Sequence, residues 1–247
     1  MTRTRLDDPR PVAGDRVAAW MTAKLAERGL TLASGPIPDE RPEPSPAEQA
    51  AQKRIPYDYR SAVADHRQVT AWVQRIAAAA TAGDLGGRGR REIAHGPSLL
   101  LWGPTGTGKT HQAYGAIRAL TAAGCGVRWH AVTAADLYGQ MRPRPGIDVE
   151  YQLRRIVRVP LLLLDDLGAA KSSEWTEELN FRLLNWRCEQ RLPTLITTNL
   201  PPVREEWMDR QARVLRDMVG DRVLSRLSGM CEPVEFSGSD RRFATAA

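Results

Sequence analysis

The sequence predicts an α/β fold: a three-layer sandwich with a central parallel sheet, preceded by a small helical appendage. Three observations point there. From Pro97 onward, short apolar runs alternate with glycine-containing loops and helix-length segments, the pattern of strands joined by crossover helices. One run, Leu161 to Leu164, is apolar at every position, as a strand buried on both faces must be. The stretch GPTGTGKT, Gly103 to Thr110, sets three glycines and a lysine between an apolar strand and a helix.

Taken in order, residues 15–30 (DRVAAWMTAKLAERGL) put Val17, Trp20, Met21 and Leu25 on one stripe of a helix that stops at Gly29. The following SGPIPDERPEPSPAEQ carries prolines and charges in place of apolar periodicity and reads as a linker. The chain therefore divides into a helical, partner-binding appendage (1–33), a Pro-rich linker (34–52), the main domain (53–242) and a short tail (243–247). Val69, Trp72, Val73 and Ile76 mark a helix that runs into the basic loop AGDLGGRGRR. Strands are expected at Ser98–Trp102, Val127–Val132, Leu161–Asp165, Thr194–Thr198 and Pro233–Phe236. Helices are expected at Lys109–Ala123, Asp148–Val157, Glu174–Gln190 and Asp209–Leu227. Sheets of this kind bind ligands at the carboxyl ends of their strands.

Charge and cysteine usage narrow the partners. The 247 residues hold 35 Lys+Arg against 29 Asp+Glu, a formal +6, which suits a nucleic-acid partner without requiring one. The lysines are Lys24, Lys53, Lys109 and Lys171 alone, so a lysine inside the glycine motif stands out. Three cysteines and four histidines are scattered without a disulfide or zinc spacing, and no metal site built from protein ligands alone is expected. The longest aliphatic run is too short to cross a bilayer, so a soluble, cytoplasmic protein without a membrane partner is expected.

The glycine motif fits G-x-x-x-x-G-K-[ST], in which Gly103, Gly106 and Gly108 let backbone N–H groups wrap a phosphate chain, with Pro104, Thr105, Thr107 and His111 completing the cradle. Lys109 would neutralise the β- and γ-phosphates of ATP, and the Thr110 hydroxyl would sit on Mg²⁺. At the end of the leucine strand, Asp165 would reach the Mg²⁺ shell, largely through water, and Asp166 would orient or deprotonate the attacking water. Asp166 is one methylene shorter than Glu, which predicts slow, partner-dependent hydrolysis. A third strand end, LITTNLP, offers Asn199 to the attacking water or γ-phosphate, supported by Thr198.

On RIPYDYRSA, GPTGTGKTHQA, LLLLDDLGAAKSSEW, PTLITTNLP and DRVLSRL, the chain resembles AAA+ ATPases of the DnaC/IstB type, over about Lys53 to Arg242. The phosphate loop is generic, whereas Asp-Asp-Leu-Gly followed by Trp175, and Thr-Thr-Asn-Leu after Pro193, are more specific to this branch. The resemblance implies a homo-oligomer in which Arg226 reaches an adjacent protomer's γ-phosphate as an arginine finger, with Arg222 the rival. It also implies a second sensor arginine, Arg241 or Arg242, although the large helical lid of many relatives is lacking. The segment between the first two motifs, with Arg142, Arg144, Arg154, Arg155 and Arg158 and with Tyr138 and Tyr151 interleaved, would contact single-stranded DNA. The implied function is loading of a DnaB-type replicative ring helicase gripped by the N-terminal helix. Two alternatives stand beside it: an IstB-like transposition ATPase, and a nucleotide-gated DNA-binding adaptor with negligible turnover.

Overall fold

The structure is a computed structural model that describes residues 24, 46–82, 91–125, 128–206 and 208–242. The chain forms two compact units, Met1–Glu43 and Pro44–Ala247. In the first only Lys24, helical and exposed, is described, so the helix expected over residues 15–30 otherwise lies outside the described residues. The same holds for residues 83–90 of the basic loop and for the tail 243–247.

In the second unit, β1 (Ser98–Trp102), β2 (Trp129–Thr133), β3 (Leu161–Asp165), β4 (Thr194–Thr198) and β5 (Cys231–Glu235) form one sheet of order β2-β3-β4-β1-β5. Every neighbouring pair is parallel. The helices are α1 (Pro46–Arg54), α2 (Arg67–Ala79), α3 (Lys109–Ala122), α4 (Ala134–Gln140), α5 (Val149–Val157), α6 (Glu174–Glu189), α7 (Leu215–Val219) and α8 (Asp221–Met230). Two-residue strands at Thr81–Ala82 and Arg91–Glu92 pair antiparallel as a separate ribbon.

The leucine run of β3 explains the layering. Side chains alternate across a strand, so Leu161 and Leu163 join a core with Trp72 and Ile76 of α2 and Ile117 and Leu120 of α3. Leu162 and Leu164 join the opposite core with Ile156 of α5, Leu183 of α6 and Val223 of α8. All four leucines are 0 % exposed, and burial of each contributes about 1.5–3 kcal/mol. The helix starts are encoded locally. The Thr133 side chain accepts from Asp136 N–H, Asp148 accepts from Tyr151 N–H, and Ser173 forms a capping box with Thr176.

Three departures from expectation have local causes. Helix α1 starts at Pro46, inside the stretch expected as a linker; proline suits a helix's first turn because its missing N–H would find no partner there. Helix α4 follows β2 directly and was not anticipated. The single helix expected over Asp209–Leu227 is instead α7 and α8, broken at Gly220, whose φ of 81° is costly for any residue with a side chain. A Cβ at Gly220 would also lie 2.9 Å from Glu177 Oε2.

Arg187, fully buried near the end of α6, ties α5 and α6 to the sheet at the amino end of the central strand β4. It donates to Thr194 Oγ1 (2.8 Å) and to the carbonyls of Val157 (3.0 Å), Val159 (2.8 Å) and Pro193 (2.7 Å). Burial lowers its pKa to about 9, so it remains a cation at neutral pH, held by oxygen dipoles.

Candidate functional site

The site is assembled where β1, β3 and β4 end. After Trp102 the chain turns at Gly103 (φ 140°), where an added Cβ would lie 2.0 Å from the Phe236 carbonyl oxygen. Gly106 (φ 79°) and Gly108 (φ 98°) curl the loop onto the N-terminus of α3. Thr107 Oγ1 donates to Pro104 O at 2.9 Å and braces the curl. Lys109, 5 % exposed, folds its ammonium over the loop and donates to Gly103 O (2.8 Å) and Pro104 O (2.7 Å). Burial lowers its pKa, while Asp166 and Asp165 act to raise it.

Around Asp165 the first turn of α3 meets the ends of β3 and β4. Thr110 Oγ1 donates to Asp165 Oδ1 at 3.0 Å, and Thr197 Oγ1 donates to the same oxygen at 2.5 Å. Burial pushes the Asp165 carboxyl above the ordinary carboxylate range, with the Thr197 hydrogen bond opposing it and the Asp166 charge adding to it. A half-buried carboxylate beside a threonine hydroxyl and a second carboxylate is a hard-oxygen set that fits Mg²⁺. Asp166 has φ 55°, a left-handed conformation uncommon outside glycine. Its N–H donates to Thr197 Oγ1 (2.9 Å), and Asn199 Nδ2 donates to its Oδ1 (3.3 Å). The expected support from Thr198 is corrected here: Thr198 Oγ1 accepts Leu200 N–H (3.2 Å), and it is Thr197 that reaches across to β3.

Two further segments close on the loop. Beyond β5, Arg241 N–H donates to Gly106 O at 3.0 Å, and its Nη1 lies 3.5 Å from where a Cβ on Gly108 would be. The sequence had singled out Arg241 and Arg242 but not Asp240. A Cβ on Gly106 would meet the Asp240 carboxylate at 2.0 Å, and Arg242 pairs with that carboxylate at 2.6 Å. From the other side, Val63 N–H donates to His111 Nε2 at 3.2 Å, and Gln112 Oε1 accepts the N–H groups of Asp65 and His66. His111 therefore turns its ring to this entering segment. Tyr59 stacks on Tyr114 at 4.8 Å; burial raises its phenol pKa first, then the charges of Asp165, Asp58 and Asp166.

The remaining candidates lie elsewhere. Arg226 is exposed on α8, 5.9 Å from the Phe181 ring; Arg222 lies 3.8 Å from that ring and 3.4 Å from Glu178. Arg128, Arg154, Arg155 and Arg158 line a cavity of about 500 Å³ with Tyr151, and Arg144 and Arg155 line one of about 460 Å³ with His130 and Gln152. The two share Arg155 and Val159, and neither lining contains a carboxylate. Arg142 is exposed just after α4. Tyr138 is not available to stack on a base: it is 9 % exposed in the core, its hydroxyl accepts from Asn180 Nδ2 at 2.7 Å, and its ring meets Trp175 edge-on.

A parallel sheet of this order, with this loop and these strand ends, invites comparison with known families. The model of the IstB-like ATP binding proteins matches residues 91–246. The chain belongs to this IstB-like family. Over 97 residues the chain is 27% identical to the replicative helicase loader DnaI of Bacillus subtilis, covering 38% of this chain and 31% of the relative. A 110-residue stretch is 32% identical to a putative insertion sequence ATP-binding protein of Sinorhizobium fredii, covering 44% and 36%. The matched segments thus span about a third of each relative's length. The crystal structure of the DnaC helicase loader matches with a TM-score of 0.55 at 23% identity, over 74% of this chain and 100% of that one. The replication initiator DnaA, bound to AMPPCP and single-stranded DNA, matches with 0.51 at 23% identity, over 70% and 46%. These neighbours show that the IstB-like chain shares its α/β fold with DnaC and DnaA.

Proposed function

We propose that this IstB-like chain is a slow, Mg²⁺-dependent ATPase whose nucleotide state governs an assembly on single-stranded DNA, and that it loads a replicative ring helicase. The observation that carries the ATPase reading is the convergence of Lys109, Thr110, Asp165, Asp166 and Asn199 around one phosphate loop. The triphosphate lies along the Gly103–Thr110 backbone, and the Lys109 ammonium exchanges the carbonyls of Gly103 and Pro104 for phosphate oxygens. Thr110 and Asp165 would hold Mg²⁺, which would supply neutralisation of the phosphate charge. Asp166 takes the proton of a water that attacks the γ-phosphorus, and the bond to the β–γ bridging oxygen breaks to give ADP and phosphate. Asn199 holds Asp166 and the water, Arg241 reads the nucleotide from the C-terminal side, and Arg226 of a neighbouring protomer completes the site.

Single-stranded DNA follows the arginines around the two cavities beside α5, its phosphates on Arg128, Arg154, Arg155 and Arg158 and a base against Tyr151, with Arg142 and Arg144 extending the track. Support for helicase loading comes from the resemblance to DnaI in sequence and to DnaC in fold. Residues 1–33 are the proposed grip on a DnaB-type helicase, and the cytoplasm is the proposed location. Among the described residues no helix is long and apolar enough to cross a membrane. The 32% identity to an insertion sequence ATP-binding protein favours a second reading, a transposition ATPase that recruits a transposase.

Phosphate release and partner capture by the full chain separate these readings. The expected result is ATP hydrolysis stimulated by single-stranded DNA, recovery of a ring helicase, and loss of nucleotide binding in Lys109→Ala. Recovery of a transposase without a helicase would replace the loader by the second reading. Tight ATP binding that neither DNA nor partner converts into release would make the chain a static switch.

A further inference from the structure

The hydroxyl of Thr197 stands between the two acidic residues that end β3. Pairing of β3 with β4 runs Leu162 to Thr194, Leu163 to Leu195 and Leu164 to Ile196, so Thr197 lies just past the last paired residue, where β3 begins to turn. Its Oγ1 donates to Asp165 Oδ1 at 2.5 Å and accepts Asp166 N–H at 2.9 Å, and its carbonyl accepts Leu167 N–H at 2.9 Å. One residue thus holds three consecutive residues of the facing chain.

We propose that Thr197 is a positioning residue for ATP hydrolysis, whose single hydroxyl fixes both the Asp165 carboxylate and the Asp166 backbone in the arrangement that turnover requires. The role rests on the ATPase reading above. A hydroxyl has one proton, and because Oγ1 already accepts from Asp166 N–H, that proton is directed at Asp165. The side chain is 0 % exposed, so bulk water does not compete for either bond. The bond to Asp166 N–H also stabilises the φ of 55° at which the Asp166 carboxylate meets Asn199, two residues beyond Thr197 on the same strand end. The residue carrying the sensing amide and the residue carrying the clamping hydroxyl therefore move together.

The test compares the full-length wild type with Thr197→Val, which has nearly the same shape and lacks the hydroxyl, and Thr197→Ser, which keeps it. ADP affinity in EDTA, the Mg²⁺ midpoint of ATP binding, and kcat and KM for ATP are measured on each. Expected for Thr197→Val are unchanged ADP affinity, a higher Mg²⁺ midpoint and a kcat lower by roughly 10- to 100-fold, the scale of a lost charge-assisted hydrogen bond. Thr197→Ser should restore both quantities. A Thr197→Val protein with wild-type kcat and Mg²⁺ midpoint overturns the proposal, as does Thr197→Ser damage equal to that of Thr197→Val, which would assign the effect to methyl packing. If Thr197→Val does not fold, Thr197→Cys replaces it under the same expectations. Should wild-type turnover be negligible, the Mg²⁺ midpoint alone decides. A wild type that binds no nucleotide fails the ATPase reading itself, a result distinct from any difference among the variants.

Discussion

Asp166 combines an uncommon backbone conformation, φ 55°, with a side chain held by Asn199. Aspartate and asparagine tolerate the left-handed region better than most residues, so Asp166→Asn removes the proposed base without straining the turn. It should bind ATP as the wild type does and lose roughly 10²–10⁴-fold in turnover, the usual contribution of a general base, as read by phosphate release at saturating ATP. Undiminished release would remove Asp166 from proton transfer. This pair of carboxylates was legible in the sequence because its signal is contiguous: four apolar positions, two acids and a glycine. Tyr138 was not, because an aromatic between arginines reads as a base-stacking platform until its neighbours are known. Its hydroxyl is claimed by Asn180, 42 residues away, and its ring belongs to the core.

Among elements, β5 and the strap after it lie against the phosphate loop. Phe236 N–H donates to Trp102 O at 2.7 Å, which continues the β1–β5 pairing up to the loop's first residue, and the strap then crosses to Gly106. Its Asp240 carboxylate lies against Gly106 and is paired with Arg242. Two anions near one glycine repel, and the Arg242 guanidinium becomes available to phosphate once it leaves Asp240. Asp240→Asn should therefore tighten nucleotide binding several-fold, most visibly at low ionic strength, in a titration with a fluorescent ADP analogue. Equal affinities would mean that the strap leaves the loop before phosphate arrives. Nothing in the residue pattern around Asp240 marked it, since its only distinction is the glycine it meets, 134 positions earlier in the chain.

At the scale of the whole molecule, the exposed face of α8 matters because it carries Arg226, whose aromatic neighbour is Phe181 of α6. A finger acting on a neighbour predicts complementation. Arg226→Ala should bind ATP and fail to hydrolyse it, Lys109→Ala should bind none, and mixing the two should restore part of the activity by pairing an intact phosphate loop with an intact arginine. Normal turnover in Arg226→Ala would transfer the role to Arg222 or remove it.

By itself, the sequence determined the sheet's class, the phosphate loop and the acidic strand end, because each is written in residues adjacent along the chain. The leucines of β3 had to be buried on both faces, and the glycines of the loop had to bend where side chains could not. Only the tertiary structure decided which threonine of LITTN bonds to the acidic strand end, which acid lies against the loop, where the last long helix breaks and which tyrosine remains accessible. Those depend on groups brought together from distant segments, as Thr197 is brought to Asp165 by the register of two parallel strands. A hydrogen bond between them exists only once the whole sheet has formed.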